Sequence, residues 1–241
     1  FEGSKLLGTF CYNPQAVFPI YFVMRVDRTP RSSGFWKMQR PMTGVEAEWD
    51  KDNGKYKIYT NYGRVMSGDD IGAWMSFDTT PGEDISVAVA VSFVSIENAR
   101  ENLEKELAGT VFATGGAVDA ATADEAFDRV KADARGEWNR LLGRIEVEGG
   151  TEEQKRVFYT ALYHALIHPN VLNDFNGDYP IMESDSVGNI YAGAVTPSDS
   201  AAVANRYTVF SLWDTYRNLH QLMTLVYPER QEAMVRSMLD I

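Results

Sequence analysis

The stretch Ile85-Ser-Val-Ala-Val-Ala-Val-Ser-Phe-Val-Ser-Ile-Glu-Asn-Ala-Arg-Glu-Asn-Leu-Glu-Lys-Glu-Leu107 changes its apolar period partway along, and that change decides the fold class. Up to Phe93 the period is two. Ile85, Val87, Val89, Val91 and Phe93 fall on one face and Ser86, Ala88, Ala90 and Ser92 on the other, as a pleated strand requires, and both faces read as covered. After Ser95 the apolar positions Ala99, Leu103 and Leu107 are four apart, which predicts an amphipathic helix over 97–108 ended by Gly109. The chain therefore passes from sheet to helix near residue 95.

Upstream of that switch, Phe18-Pro-Ile-Tyr-Phe-Val-Met-Arg-Val26 is rich in β-branched and aromatic residues, and Asp52-Asn-Gly54 between Trp49 and the alternating run Tyr56–Thr60 signals a hairpin. Several such runs separated by Gly, Pro and Asp predict a sandwich of antiparallel sheets. Downstream the pattern is helical. Thr122 with Glu125 forms a capping box ahead of a stripe through Phe127, Val130, Ala134, Trp138 and Leu141, and Thr151 with Gln154 opens another helix. From Val157 to Ile167 only Thr160 and His164 are neither apolar nor aromatic, which predicts a helix without a wet face. Residues 170–206 carry little periodicity and read as an ordered loop. A further helix is expected over 207–227, which would put Trp213, Asp214, Arg217 and Gln221 on one face. Pro228 then starts a last helix with Met234, Val235, Met238 and Leu239 on its apolar stripe.

Composition narrows the function. The 241 residues include 34 Asp and Glu against 23 Lys and Arg, a net charge of −11 that repels nucleic acid, and no window clusters enough basic residues to offset it. No apolar run approaches the about 20 residues needed to span a bilayer. The single cysteine, Cys11, rules out an internal disulfide and a thiolate zinc cluster, and reads as a small buried hydrophobe.

Taken together, five segments resemble glycoside hydrolase family 92, the calcium-dependent exo-acting α-mannosidases. They are Val91–Glu106, Phe158-Tyr-Thr-Ala-Leu-Tyr-His164, Asp174-Phe-Asn-Gly-Asp-Tyr179, Ser211-Leu-Trp-Asp-Thr-Tyr-Arg217 and Leu222-Met-Thr-Leu225. They occur in the family's order, while the first 84 residues carry no motif of it. The resemblance implies a multidomain β plus α chain: part of an antiparallel β-sandwich (1–95), a helical linker (96–148) and the first helices of an (α/α)6 barrel (149–241). Gln221 departs from the proline usual after His220, and Pro180-Ile181 from the glycine usual after Tyr179.

By the same resemblance the reaction is removal of terminal mannose, of α-1,2 type, with inversion, from a mannose-containing glycan outside the cytoplasm: secreted, periplasmic or at the cell surface. Calcium is the implied cofactor. The general acid and base are expected beyond Ile241, so the chain reads as a piece of a longer protein, inactive on its own. Trp213, Asp214, Arg217, Asp174 and Tyr179 are the candidate substrate-binding residues. Trp213, Asp214 and Arg217 also fit a buried ion pair under an aromatic cap, since positions 214 and 217 pair easily on a helix. Asp174, Asn176 and Asp178 imitate half of a calcium loop, but Tyr179 stands where that loop needs glycine and Asp185 where it needs glutamate, which favours an Asx-type turn. His164 and His168 lie one turn apart without a third metal ligand, and with His220 they read as core or cap residues. Two other readings stay open: a non-catalytic carbohydrate-binding module, and an (α/α)6-barrel glycosidase acting on another sugar.

Overall fold

The computed structural model describes residues 1–7, 18–38, 56–60, 65, 67–68, 70–114, 120–184, 190–195, 205–208 and 211–239. Cys11, the Asp52-Asn-Gly54 hairpin signal and Asp185 lie outside them.

Strands come first. β1 (Glu2–Leu7), β2 (Phe18–Val26) and β6 (Val87–Ser92) form one antiparallel sheet with β2 in the middle, and β3 (Ser32–Met38) lies between β4 (Tyr56–Thr60) and β5 (Ile71–Ser76) in a second. The sheets touch through the rings of Phe1 and Phe35, 5.6 Å apart and edge to face. β6 has the expected alternation, but only one of its faces is covered. Ala88 and Ser92 are buried, whereas Val87, Val89 and Val91 are 47–58% exposed. The reason is steric. Helix α1 (Ile96–Glu106) packs on the small-residue face, where its backbone can come close to the strand, and its Ala99 and Leu103 are almost wholly buried there. Ser95 caps α1 by accepting from the Asn98 backbone N–H, and Gly109 (φ +80°) carries the chain away.

A short turn, α2 (Val111–Thr114), leads to the long helix α3 (Ala120–Leu142). Thr122 therefore sits inside the first turn of α3 rather than at its cap. The apolar stripe expected along α3 is buried only at the ends: Ala123 and Ala126 join the core of the sheet region, Leu141 joins the second core, and Phe127 and Val130 between them stand out in solvent. At about 1.5 Å per residue a helix of 23 residues is roughly 34 Å long, and its two ends join different cores. It acts as a strut between them.

The second core gathers Leu141, Leu162, Leu166, Tyr207, Met223, Tyr227, Ala233 and Met234. α4 (Glu152–Ile167) starts with the predicted capping box, Thr151 Oγ1 accepting from the Gln154 N–H at 3.2 Å and Gln154 Oε1 from the Thr151 N–H at 2.9 Å. α4 does have an open side, contrary to the expected absence of a wet face. Leu162 and Leu166 are buried, but Val157 is 66% exposed and Tyr163 39%.

Two further expectations change. The stretch read as a loop contains the antiparallel pair β7 (Tyr179–Ser184) and β8 (Ile190–Val195), formed by segments rich in Ile, Tyr and Val. The helix expected over 207–227 is broken in three. Tyr207 pairs with Val171 in an isolated β-bridge, α5 is the single turn Leu212–Thr215, and α6 runs over Leu219–Val226 after Asn218, whose backbone (φ −152°, ψ −12°) leaves the helical region. The shared face proposed for Trp213, Asp214, Arg217 and Gln221 is thus divided between a turn and a helix. α7 (Pro228–Leu239) begins at the expected proline, but it buries Ala233, Met234 and Ser237 while Val235 and Leu239 stay exposed.

Candidate functional site

The short turn α5 presents its polar and aromatic side chains outward. Trp213 is 79% exposed, and Asp214 and Arg217 are exposed beside it. The ion pair between Asp214 and Arg217 does not form. Asp214 instead accepts a hydrogen bond from Ser211 Oγ at 2.6 Å, and Arg217 turns to Tyr216, donating from Nε to the phenol oxygen at 3.1 Å with its guanidinium 5.6 Å from the ring centre. Trp213 approaches the same ring at 6.3 Å. Tyr216, which sequence reasoning missed, thereby lines up with Trp213 and Arg217 in one exposed row.

The base of the turn is fixed from below. Thr215 is buried, its hydroxyl lies 3.3 Å from the Ser211 carbonyl, and it shares a 3.0 Å hydrogen bond with His220 Nε2. His220 Nδ1 meets Gln231 Oε1 at 3.2 Å, which links α5 through α6 to α7. His220 is therefore a structural bridge. His164 and His168 are exposed, not part of the core, and among the described residues they join no metal-binding group.

Asp174 and Tyr179 occupy a different setting, where Asp174 faces protein. The loop 170–178 docks against α1 through a buried polar knot. Asp174 Oδ2 accepts from Ser92 Oγ (2.6 Å) and Asn98 Nδ2 (2.9 Å), and its Oδ1 accepts from Asn102 Nδ2 (2.7 Å). Asn98 Nδ2 also donates to Asp178 Oδ2 at 2.9 Å, Asn176 Nδ2 donates to the same oxygen at 3.0 Å, and the Phe175 N–H donates to Asn102 Oδ1 at 2.8 Å. Gly177 (φ +93°) permits the tight turn between them. Tyr179 is half-buried with the Arg206 guanidinium 5.0 Å over its ring. The asparagines were also missed. Their spacing of four, each just before Ala99 or Leu103, was the only signal, and their aspartate partners lie more than 70 residues away.

The residues of this knot do not fit a calcium ion. Such a cation takes about 6–8 oxygen ligands, yet the Asp174 carboxylate is taken up by amide and hydroxyl donors. Asp178 Oδ1 is the one carboxylate oxygen buried without a partner among the described residues, and no group of three or more His, Cys, Asp or Glu among them could hold a metal.

Nearby, the Glu106 carboxyl is pushed up, first by desolvation and then by the negative charge of Asp174. Its ionised form is thus disfavoured in the fold, and the stability it contributes when protonated is lost as pH rises through its raised pKa. Glu106→Gln is expected to raise Tm at pH 7 and to leave it unchanged well below pH 4, measured by thermal melts at both pH values.

Two sequence models match the chain: the glycosyl hydrolase family 92 N-terminal domain over residues 1–92 and the family 92 catalytic domain over residues 98–241. The chain belongs to glycosyl hydrolase family 92. Its antiparallel sheets followed by helices match the β domain and the start of the (α/α) catalytic domain in solved family 92 structures. An α-mannosidase of the family from Bacteroides thetaiotaomicron, solved also with mannoimidazole, is 29% identical with a TM-score of 0.66, covering 99% of this chain and 26% of the other. An inverting mannosidase of the family from the same organism is 27% identical with a TM-score of 0.60, covering 91% and 24%. A secreted glycosidase of Arthroderma benhamiae is 28% identical over 102 residues, 42% of this chain and 11% of the relative. The chain thus spans about a quarter of the length of the solved family members it matches.

Proposed function

We propose that the intact protein is an exo-acting α-mannosidase that removes terminal mannose, of α-1,2 type, with inversion and with a requirement for calcium, outside the cytoplasm. One observation carries the reading to particular residues: within a family 92 chain, an exposed Trp–Asp pair is held out on a turn whose base is locked by Thr215, His220 and Gln231. Trp213 offers a flat apolar surface to a pyranose ring, Asp214 accepts from sugar hydroxyls, and Arg217 on Tyr216 supplies donors at the rim. Asp174 and Tyr179 act in this reading by shaping the loop behind that surface.

Inversion needs two carboxyl groups about 6.5–9.5 Å apart, one protonating the leaving oxygen and one activating water. Neither role is assigned to Asp214, which serves as a binding group, and residues 1–241 alone are expected to be inactive. Calcium would be held by groups other than Asp174 and Asp178.

Incubation of the intact protein with α-1,2-mannobiose is the direct test. Proton NMR at early times is expected to show β-mannose as the first-released anomer, with release abolished by a chelator and restored by calcium. Release of α-mannose would overturn inversion, chelator-insensitive release would overturn the calcium requirement, and no release from any α-mannoside would overturn the mannosidase reading. The relative from Arthroderma benhamiae is described as secreted, which supports placement outside the cytoplasm.

A further inference from the structure

We infer that Asn98 and Asn102 of α1 are positioning residues for the turn that carries Trp213 and Asp214, acting through the 170–178 loop. The connection can be followed bond by bond. Asn102 Nδ2 donates to the Val91 carbonyl of β6 at 3.0 Å as well as to Asp174, while its Oδ1 receives the Phe175 N–H, so one amide ties a sheet strand to both the side chain and the backbone of the loop. Only a side chain with two donors and an acceptor on one planar group does this. Asn98 is held in turn by Ser95, whose hydroxyl donates to Asn98 Oδ1 at 2.9 Å, leaving Nδ2 to bridge Asp174 and Asp178.

The other side of the loop grips residues 206–208. The Leu172 N–H donates to the Arg206 carbonyl (2.7 Å), the Thr208 N–H to the Asn170 carbonyl (2.9 Å), and the Arg206 N–H to Asn173 Oδ1 (2.7 Å). Asn170 N–H in return donates to Thr208 Oγ1 at 3.1 Å. Ser211, the cap residue of α5, follows three positions after Thr208. Ser237 of α7 closes the other flank, its hydroxyl accepting from the Tyr207 N–H at 2.9 Å and its carbonyl accepting from Arg206. Residues 206–208, just before α5 in the chain, are thus held between two supports, α7 on one side and the α1 knot on the other. A buried polar network of this kind has few alternative arrangements, because each displaced group leaves another without a partner.

Amide hydrogen exchange on the intact protein tests this without relying on activity. Asn102→Ala is expected to speed exchange at least about 10-fold at residues 172–178 and also at 206–208, with the β2 amides unchanged, and to raise KM for an α-mannoside more than it lowers kcat. Ser92→Ala, which removes one hydroxyl from Asp174, is the milder variant should Asn102→Ala fail to fold, and is expected to show the same pattern at smaller amplitude. Faster exchange confined to 172–178 overturns the proposal whatever the kinetics. The kinetic arm rests on the sugar-binding reading of Trp213 and Asp214: faster exchange at 206–208 and at the amides of 214–216 with an unchanged KM supports the positioning role and overturns that reading alone, whereas faster exchange at 206–208 with 214–216 unchanged overturns the positioning role.

Discussion

Replacing Asp214 by Ala in the intact protein is expected to lower kcat/KM toward an α-mannoside by about 10²–10³-fold while moving Tm by less than about 2 °C. The magnitude follows from two hydrogen bonds between sugar hydroxyls and an ionised carboxylate, each contributing about 1.5–3 kcal/mol. Together they amount to roughly 3–6 kcal/mol, and the lower part of that range, expected where the carboxylate stays open to water, corresponds to two to three decades in rate. The small change in Tm follows from position. Asp214 is exposed, and among the described residues its carboxylate accepts a hydrogen bond from the exposed Ser211 Oγ, so its removal leaves no buried group of theirs unsatisfied. Steady-state kinetics beside a thermal melt separates the outcomes: unchanged kcat/KM would remove the binding role, and a large fall in Tm with unchanged kinetics would assign Asp214 to structure alone.

Asp174→Ala is expected to do the opposite, destabilising the fold by about 3 kcal/mol. Three buried donors, Ser92 Oγ, Asn98 Nδ2 and Asn102 Nδ2, would lose an acceptor at once. Each orphaned group costs about 1–3 kcal/mol, and relief of the repulsion that Asp174 exerts on Glu106 offsets part of the sum. The urea midpoint of the unit containing these residues should fall accordingly, with a Tm decrease of about 6–12 °C for a cooperative unit of this size. A variant as stable as the parent would show that the knot contributes no net stability.

These two aspartates also show what the sequence revealed and what it hid. The change of period at Ser95 was visible because alternation along a strand and four-residue spacing along a helix are written in the local chain, even though β6 itself pairs with the distant β2. The Thr151–Gln154 capping box was visible for the same reason, its two bonds spanning three residues. The partners of Asp174 were not, since Ser92, Asn98 and Asn102 are 72 to 82 positions away and nothing local marks them as acceptor-seeking. The break between α5 and α6 was hidden by an apolar pattern that continues across it. The chain leaves the helical region at Asn218, and the bond between Thr215 and His220 spans the break. Trp213 and Asp214 were legible as a motif, but their exposure was not. Periodicity alone placed them on a continuous helix.

The inverted faces of β6 carry a lesson for how this family member tolerates change. Beneath α1 the strand offers Ala88 and Ser92 with Ala90 between them, and on the far side it offers valines half open to water. Bulk, and not oiliness, is therefore the quantity under constraint along this strand. An added methyl group at the even-numbered sites wedges the helix away from the sheet and pulls on every bond that Asn98 and Asn102 make. A wholly polar residue at the odd-numbered sites displaces only water. Drift among homologues should accordingly be free at the valines and frozen at the smallest side chains, the reverse of what a hydropathy plot of the segment suggests.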